Sequence, residues 1–389
     1  MDFIEKFCAS FKVKYMHLDK LFKGKLDTLV KNKRVVDTVN IFINFESLYN
    51  VIRREDFEKL IATANKAEIK RMYRAAIAGF INVAAHYREY FKRHKIATNF
   101  FYYYNEIPDD YVEYNNSVLV PSYRKHFVES MLSIERFAVN SMIVDMVPFM
   151  KIIVDYIEDV YMISSKRVEA SLIPHIILTE NKFPANMNII ISKDSYDFQY
   201  CNSNCLIISK YKSEPLILTK YNVMDYIKFR NKFKNPEDKD VVKLNPLLMT
   251  FIFAFLGNRK RGVPGIKGIG YGKIHKELEK LYSIGYISDD EPDTMNYQNL
   301  MDVLDEQGLE IFKDENFKED VASYYKVFDF EYQTRAMSDT QKEDILDQLE
   351  NKSDPSSLIE LNDRYFEYSP LQLMELANYN KRSEITQYI

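Results

Sequence analysis

Glycine is concentrated in one short, basic segment of the chain. Six of the ten glycines lie between Gly257 and Gly272. Glycine permits positive φ angles and the close approach of another backbone, and N–H groups exposed at the start of a helix bind anions. The same segment carries five cations, Arg259, Lys260, Arg261, Lys267 and Lys273. A plain turn between helices needs only one or two glycines, so the pattern predicts a loop that contacts the phosphates of a nucleic acid.

The sequence lacks the usual motifs for nucleotides and zinc. No Gly-Lys-Ser/Thr closes the glycine segment, as a Walker loop requires, and no strand is predicted before it, as a dinucleotide site requires. Cys201 and Cys205 form a lone C-x-x-x-C, with Cys8 as the third cysteine of the chain. This spacing favours buried or strand-edge thiols over half a zinc site, and the odd count fits a reducing compartment.

The composition is that of a folded protein. With 389 residues, of which 46% are hydrophobic and 28% charged, the chain suggests two or three modules and excludes a disordered or fibrous protein. The longest apolar stretch, 247–256, is about half of the roughly 20 residues that cross a bilayer. We therefore expect a cytoplasmic protein without a membrane partner.

Charge divides the chain into a basic body and an acidic end. Residues 286–389 contain 9 Lys and Arg against 25 Asp and Glu, a net charge of −16, which leaves +12 for residues 1–285. A basic body of this size is typical of proteins that meet polyanions. An acidic end either folds back onto that body or docks onto a basic protein partner.

Hydrophobic runs alternate with helical patterns along the body. The runs rich in branched and aromatic residues predict strands at 38–44, 99–104, 160–163, 188–192 and 205–209. Helices are predicted between them and on both sides of the glycine segment, at 245–255 and 273–281. This alternation predicts an α/β fold with a mostly parallel central sheet flanked by helices, which binds its ligand at the carboxyl ends of the strands.

The run from Pro264 through Gly265, Gly268 and Gly270 resembles the helix-3-turn-helix of the flap endonuclease and 5'-exonuclease family, a PIN-like group of nucleases. Four weaker matches follow the family order: Ile41 to Asn44 and Tyr103 to Asn105 resemble its first two strands, Ser165 to Leu172 its Glu-Ala-Asp-Asp helix start, and Ile190 to Gln199 its strand ending in Ser-Gly-Asp-x-Asp. The resemblance covers about residues 1–285. It implies the same fold, with residues 1–235 as the nuclease-like core, 236–285 as the helix-3-turn-helix region and 286–389 as an acidic, mainly helical extension.

The family hydrolyses phosphodiesters with two Mg²⁺ ions, which several converging carboxylates must hold. At the matching positions this chain has neutral residues, Asn44, Asn105, Ser171 and Tyr196. The loop has Asn258 and Arg261 where the family is acidic, so Glu169 and Asp194 alone remain. We expect these residues to cluster as a remnant catalytic and metal site that binds Mg²⁺ weakly or not at all.

The residues that contact DNA in the family are better preserved in this chain than the acidic residues of the metal site. The resemblance implies backbone contacts from Gly265, Lys267, Gly268, Gly270 and Lys273, together with Arg259 and Arg261, and a K⁺ ion held by main-chain carbonyls of the loop. Tyr123-Arg124 resembles the family's Tyr-Lys element, with Arg124 at the lysine position. The implied partner is double-stranded or branched DNA.

The sequence thus predicts a flap-endonuclease-like protein that binds DNA and cleaves it weakly or not at all. One alternative is an active Mg²⁺ nuclease that uses neighbouring acids, namely Glu46, Glu106, Asp109, Asp110 and Asp197. The other is a structural or interaction protein of a viral particle or replication assembly. Few glycines, no tryptophan and many lysines, asparagines, isoleucines and tyrosines are typical of an AT-rich genome, such as that of a virus or phage. If the source is viral, we expect the protein in the host cytoplasm or the virion.

Overall fold

A computed structural model gives the structure of the protein. It describes residues 37–45, 83–84, 87–105, 118–123, 147–148, 150–155, 159–202, 204–211, 214–220, 222–230, 244–258, 261–307 and 315–351. None of the described helices is both long and apolar enough to span a bilayer.

The centre of the molecule is a six-stranded sheet in the order β3-β2-β1-β4-β5-β6. The strands are β1 (Thr38–Asn44), β2 (Ala97–Asn105), β3 (Val160–Ser165), β4 (Met187–Ile191), β5 (Cys205–Tyr211) and β6 (Glu214–Leu218). The first five strands are parallel to their neighbours, and β6 pairs antiparallel with β5. The prediction of an α/β fold with a mostly parallel sheet is confirmed, and β6 is an additional strand that the sequence reading missed.

The middle strands are buried on both faces, as the uninterrupted apolar runs indicate. Ile41, Phe42 and Ile43 have no exposed surface. One polar residue, Asn40, lies beside them, and its side chain is hydrogen-bonded to two neighbouring strands and to the loop before β4. Its side chain donates to Phe183 O (2.8 Å) and Asn188 Oδ1 (3.2 Å) and accepts from Asn99 Nδ2 (2.9 Å). Because Asn99 and Asn188 are the register partners of Asn40, these amides stabilise the alignment of three strands.

Helices surround the sheet and extend beyond it. In the part of the chain that the structure describes they include α1 (Ile173–Thr179), α2 (Val223–Arg230), α3 (Met249–Leu256), α4 (Tyr271–Ser283), α5 (Tyr297–Glu306), α6 (Glu315–Phe328), α7 (Phe330–Ala336) and α8 (Asp339–Glu350). Short 3₁₀ helices follow β3 and β4, at Ala170–Leu172 and Ser195–Tyr200. The glycine segment connects α3 to α4. Cys201 and Cys205 are buried free thiols.

The described part of the acidic end packs onto the body. Its apolar side chains Val321, Val327, Phe328, Phe330 and Ile345 are buried and belong to the same core as β1 and α3. Helix α8 runs along the edge strand β3, where the Gln348 side chain donates to Ser164 O (2.9 Å) and accepts from Ser164 N (3.1 Å). The described part of the acidic end therefore folds back onto the body, which is one of the two alternatives that its charge left open, and the domain boundaries at 235 and 285 stay predictions.

Candidate functional site

The predicted site residues lie at one edge of the sheet. Asn44 and Asn105 end β1 and β2, and Asp194 follows β4 by three residues. Since β1, β2, β3 and β4 are parallel, their carboxyl ends share this edge. Glu169, Ser171, Asp194 and Tyr196 come together here around a single side chain, that of Arg261.

Arg261 is buried, with 1% of its side chain exposed, and it bridges the two carboxylates that the sequence retains. Its Nη1 lies 2.8 Å from Glu169 Oε1, and its Nη2 lies 3.1 Å from Asp194 Oδ2. Burial by itself lowers the pKa of Arg261, but Asp194 and the other neighbouring groups together raise that pKa by a larger amount. The pKa therefore lies above its ordinary value, and the guanidinium keeps its proton. The guanidinium thus forms a buried ion-pair network with carboxylates that follow two different strands.

Three further side chains complete the surroundings of the guanidinium. Its Nη2 donates to Ser171 Oγ (3.0 Å) and its Nη1 to the Tyr123 hydroxyl (3.4 Å), and that hydroxyl donates to Glu169 Oε2 (2.9 Å). The Tyr196 ring lies under the guanidinium carbon at 3.8 Å from its centroid, a cation–π distance. Both terminal nitrogens and one face of the guanidinium therefore have partners, whereas no acceptor among the described residues is bonded to its buried Nε.

Asp197 is a third buried carboxylate at this edge. It has no exposed surface, and its Oδ2 accepts from the Tyr103 hydroxyl (3.3 Å). No donor among the described residues is bonded to its Oδ1. Burial and the charge of Asp194 raise the pKa of Asp197 to about 6, against the nearby hydroxyls of Ser192 and Ser171 and the charge of Arg261, which lower it. The ionised form of Asp197 is therefore unfavourable in the folded state and lowers the stability of the protein.

Tight loops after the strands aim the two retained acids. After β3, Ser165 Oγ accepts from the N–H groups of Arg167 (3.1 Å) and Val168 (2.8 Å), which turns the chain toward Glu169. After β4, Asp194 caps the 3₁₀ helix by accepting from Tyr196 N (3.1 Å). Short polar residues favour such local bonds over regular structure, so these loops are encoded locally.

A hairpin in the glycine segment places the Arg261 side chain at this edge of the sheet. Asn258 and Val263 pair antiparallel, with N···O distances of 2.8 and 3.1 Å. Gly257 and Gly265 have φ angles of +67° and +71°, and their backbones touch so closely that a Cβ on Gly257 would lie 2.3 Å from Gly265 N. Ser122 Oγ also donates to Gly262 O (2.6 Å). The hairpin is thus pinned so that Arg261 points into the sheet edge.

This placement corrects the prediction that Arg261 contacts DNA. A cation in a glycine-rich loop suggests phosphate binding, but the Arg261 side chain is buried against carboxylates and cannot reach a duplex without leaving them. Two other predicted DNA contacts, Arg259 and Arg124, lie outside the described residues. The sequence did not predict that Arg261 is buried between carboxylates. The available signal was that Arg261 stands where the family has an acidic residue.

The outer part of the loop faces solvent. Lys267, Gly268, Gly270 and Lys273 are exposed, and Gly265 is partly exposed. Gly270 is the N-cap of the 13-residue helix α4, and no side chain caps that end. Exposed N–H groups and two lysines at a helix start are features that suit phosphate oxygens. Contact of these residues with DNA stays a prediction.

The two Mg²⁺ ions that the resemblance implies do not fit the residues present. Glu169 and Asp194 both face the guanidinium, and Asn44 and Ser171 carry no charge. Across the part of the chain that the structure describes, no three His, Cys, Asp or Glu are arranged to hold a metal ion. Of the alternative acids, Asp197 lies at this edge, while Glu46, Glu106, Asp109 and Asp110 lie outside the described residues. The described donors suit a cationic side chain.

Replacing Asp197 with Asn is expected to stabilise the protein above pH 6. The folded-state pKa of about 6 lies above the ordinary value of 3.8, so protonation favours the folded state. That contribution is complete below about pH 4 and is lost as the pH rises through about 6. A pKa difference of about 2 corresponds to about 2–3 kcal/mol of free energy of unfolding, and Asp197→Asn should gain this amount at pH 7.5. Urea unfolding at several pH values measures this, and a difference between the variants that does not shrink toward pH 4 would contradict it.

The fold of this chain is similar to that of solved structures. The T5 D15 protein, co-crystallised with metal ions, matches with a TM-score of 0.51 at 10% identity, over 83% of this chain and 99% of that one. A pseudo-enzyme–product complex of bacteriophage T5 D15 flap endonuclease with DNA and metal ions also matches with a TM-score of 0.51, at 12% identity, over 80% of this chain and 100% of that one. No family profile and no curated protein sequence matches. The resemblance seen in the sequence is confirmed at the level of structure: the chain has a flap-endonuclease-like fold.

Proposed function

We propose that this protein binds duplex or branched DNA through backbone contacts and does not hydrolyse it. The observation that carries the proposal is the buried guanidinium of Arg261 between Glu169 and Asp194. In a metal-dependent nuclease, the carboxylates at this edge must converge on metal ions. Here the two retained carboxylates are bound to a side chain of the protein itself, which supports a site that holds no metal pair.

Binding is supported by the exposed face of the glycine loop. Lys267 and Lys273 flank Gly268 and Gly270, where a Cβ would meet nothing within 4 Å, so a phosphate can approach the backbone. Taken without the acidic end that packs on them, residues 1–285 carry a net charge of +12, which favours a polyanion. The matching bacteriophage T5 flap endonuclease was crystallised with DNA. Together these features support DNA binding more directly than they support any other ligand.

One 5'-flap duplex tests binding and cleavage together. With Mg²⁺ or Mn²⁺ we expect no cleavage, and we expect affinity that falls steeply with salt, since each neutralised phosphate releases counterions. The Lys267→Ala/Lys273→Ala double variant should bind more weakly to all sequences, and its salt slope should fall by about one to two units. Lys280→Ala, near the far end of α4 and paired with Glu277, is the matched control and should change neither.

Two results would overturn the proposal. Turnover that Asp194→Ala abolishes would establish the protein as an active nuclease. Absence of binding to the flap or to plain duplex at low salt would favour a structural protein that retains only the fold.

A further inference from the structure

At the carboxyl ends of the strands, two carboxylates are buried and a third is largely shielded from water. Glu169 and Asp197 are 2% and 0% exposed, and the side chain of Asp194 is 8% exposed. Each ionised carboxylate taken out of water costs several kcal/mol unless a cation compensates it. A fold that brings these residues together must therefore supply positive charge from some source.

Arg261 supplies that charge from a distant part of the chain. Its two terminal nitrogens each meet one carboxylate, at 2.8 Å for Glu169 and 3.1 Å for Asp194, and each also meets one hydroxyl, that of Tyr123 or Ser171. The planar fork of arginine matches this pair of acceptors, whereas a lysine ammonium presents one point of charge. The acceptors follow β3 and β4, so the guanidinium joins two strand ends to the glycine hairpin.

We propose that Arg261 is a built-in counter-cation that takes the place of a divalent metal ion between Glu169 and Asp194 and fastens the glycine loop to the sheet edge. The folded protein then needs no metal to hold these carboxylates together. This role is independent of whether the protein binds DNA. It makes two separate claims, that the carboxylates require the charge of Arg261 and that the guanidinium fills a place that a metal ion can take.

A charge cycle tests the first claim. Arg261→Met leaves the carboxylates uncompensated, and its melting temperature, followed by circular dichroism, should fall by about 10 °C. Adding Glu169→Gln and Asp194→Asn to that variant removes the charges of the two carboxylates that pair with Arg261 and should restore most of the loss. The same two changes with Arg261 intact should destabilise the protein, because they leave a buried guanidinium without its two charged partners. Lys267→Met, an equal loss of charge on the exposed side of the loop, should have little effect.

The outcomes are decisive even if Arg261→Met does not fold. In that case the triple variant alone answers, since a folded triple variant shows that unpaired charge was the cause. A triple variant as unstable as Arg261→Met, or a fully stable Arg261→Met, would overturn the claim that Arg261 balances charge.

Metal titration tests the second claim. Mg²⁺ and Mn²⁺ at millimolar concentration should leave the melting temperature of the wild-type protein unchanged. Mn²⁺ should raise that of Arg261→Met, or rescue its folding, and should not affect the triple variant, which lacks the freed carboxylates. Stabilisation of the wild-type protein by Mn²⁺ that Asp194→Asn removes, or no response of Arg261→Met, would overturn the metal-replacement claim.

Discussion

Gly257→Ala is expected to destabilise the protein by about 3 kcal/mol or more, one of the largest effects of any single methyl group in the chain. The new Cβ would lie 2.3 Å from Gly265 N and 2.5 Å from Val263 O, and both of these are backbone atoms that cannot rotate away. The φ angle of +67° adds strain for any residue with a Cβ. Relief requires the hairpin to open, which withdraws Arg261 from Glu169 and Asp194. Urea unfolding measures the loss.

Two glycines of the same loop provide controls for Gly257→Ala. Gly268 has a φ angle of +80° but open space around its Cβ position, so Gly268→Ala should cost only the backbone strain of about 1–2 kcal/mol. Gly270 has open space and a φ angle of −103°, so Gly270→Ala should cost about 1 kcal/mol or less. Equal losses in all three variants would show that the close approach of Gly257 and Gly265 is not what holds the hairpin.

Phe330→Ala is the second substitution with a large expected effect, about 3–5 kcal/mol. Phe330 begins α7 in the acidic end, and its ring packs on Tyr196 at 4.8 Å and Tyr200 at 4.5 Å between centroids. Tyr196 lies under the guanidinium of Arg261, and its hydroxyl donates to Val327 O (3.0 Å). The cavity left by the ring therefore loosens the acidic end and the aromatic floor of the site together. Denaturant unfolding gives the size of the effect.

Tyr332→Ala is the matched control on the same helix. Tyr332 is 36% exposed, and its ring contact is with Lys326 at 5.7 Å, so its loss should cost less than about 1 kcal/mol. A Phe330→Ala protein as stable as Tyr332→Ala would mean that the acidic end contributes little to the core. In that case residues 315–351 would be an appendage and the body would fold without them.

The sheet could be predicted because the apolar composition of its strands indicates that they are buried. Runs such as Ile41 to Ile43 have no polar face, which is typical of strands covered on both sides. Strand β6 escaped prediction because it is short and begins with Glu214 and Pro215, residues that disfavour strands in general but are tolerated at an edge. The acidic end was described by its net charge, which hides the apolar side chains that α6, α7 and α8 bury.

The candidate site could be predicted only in part. The order of the strands was enough to bring Glu169 and Asp194 to one edge, since parallel strands share their carboxyl ends. The direction of the Arg261 side chain was not accessible in the same way. It depends on the contact between Gly257 and Gly265 and on carboxylates about 70 to 90 residues earlier in the chain, and these are tertiary facts.

The hydrogen bonds at the edge strand β3 affect whether copies of this protein can associate through their sheets. Its outward-facing carbonyl at Met162 accepts from Lys151 Nζ (3.3 Å), and both backbone groups of Ser164 are bonded to Gln348. On the opposite border of the sheet, Pro215 has no N–H to offer. A sheet whose borders are occupied in this way is a poor template for strand exchange or edge-to-edge aggregation. At the β3 border the acidic end contributes to this protection, because Gln348 occupies both backbone groups of Ser164.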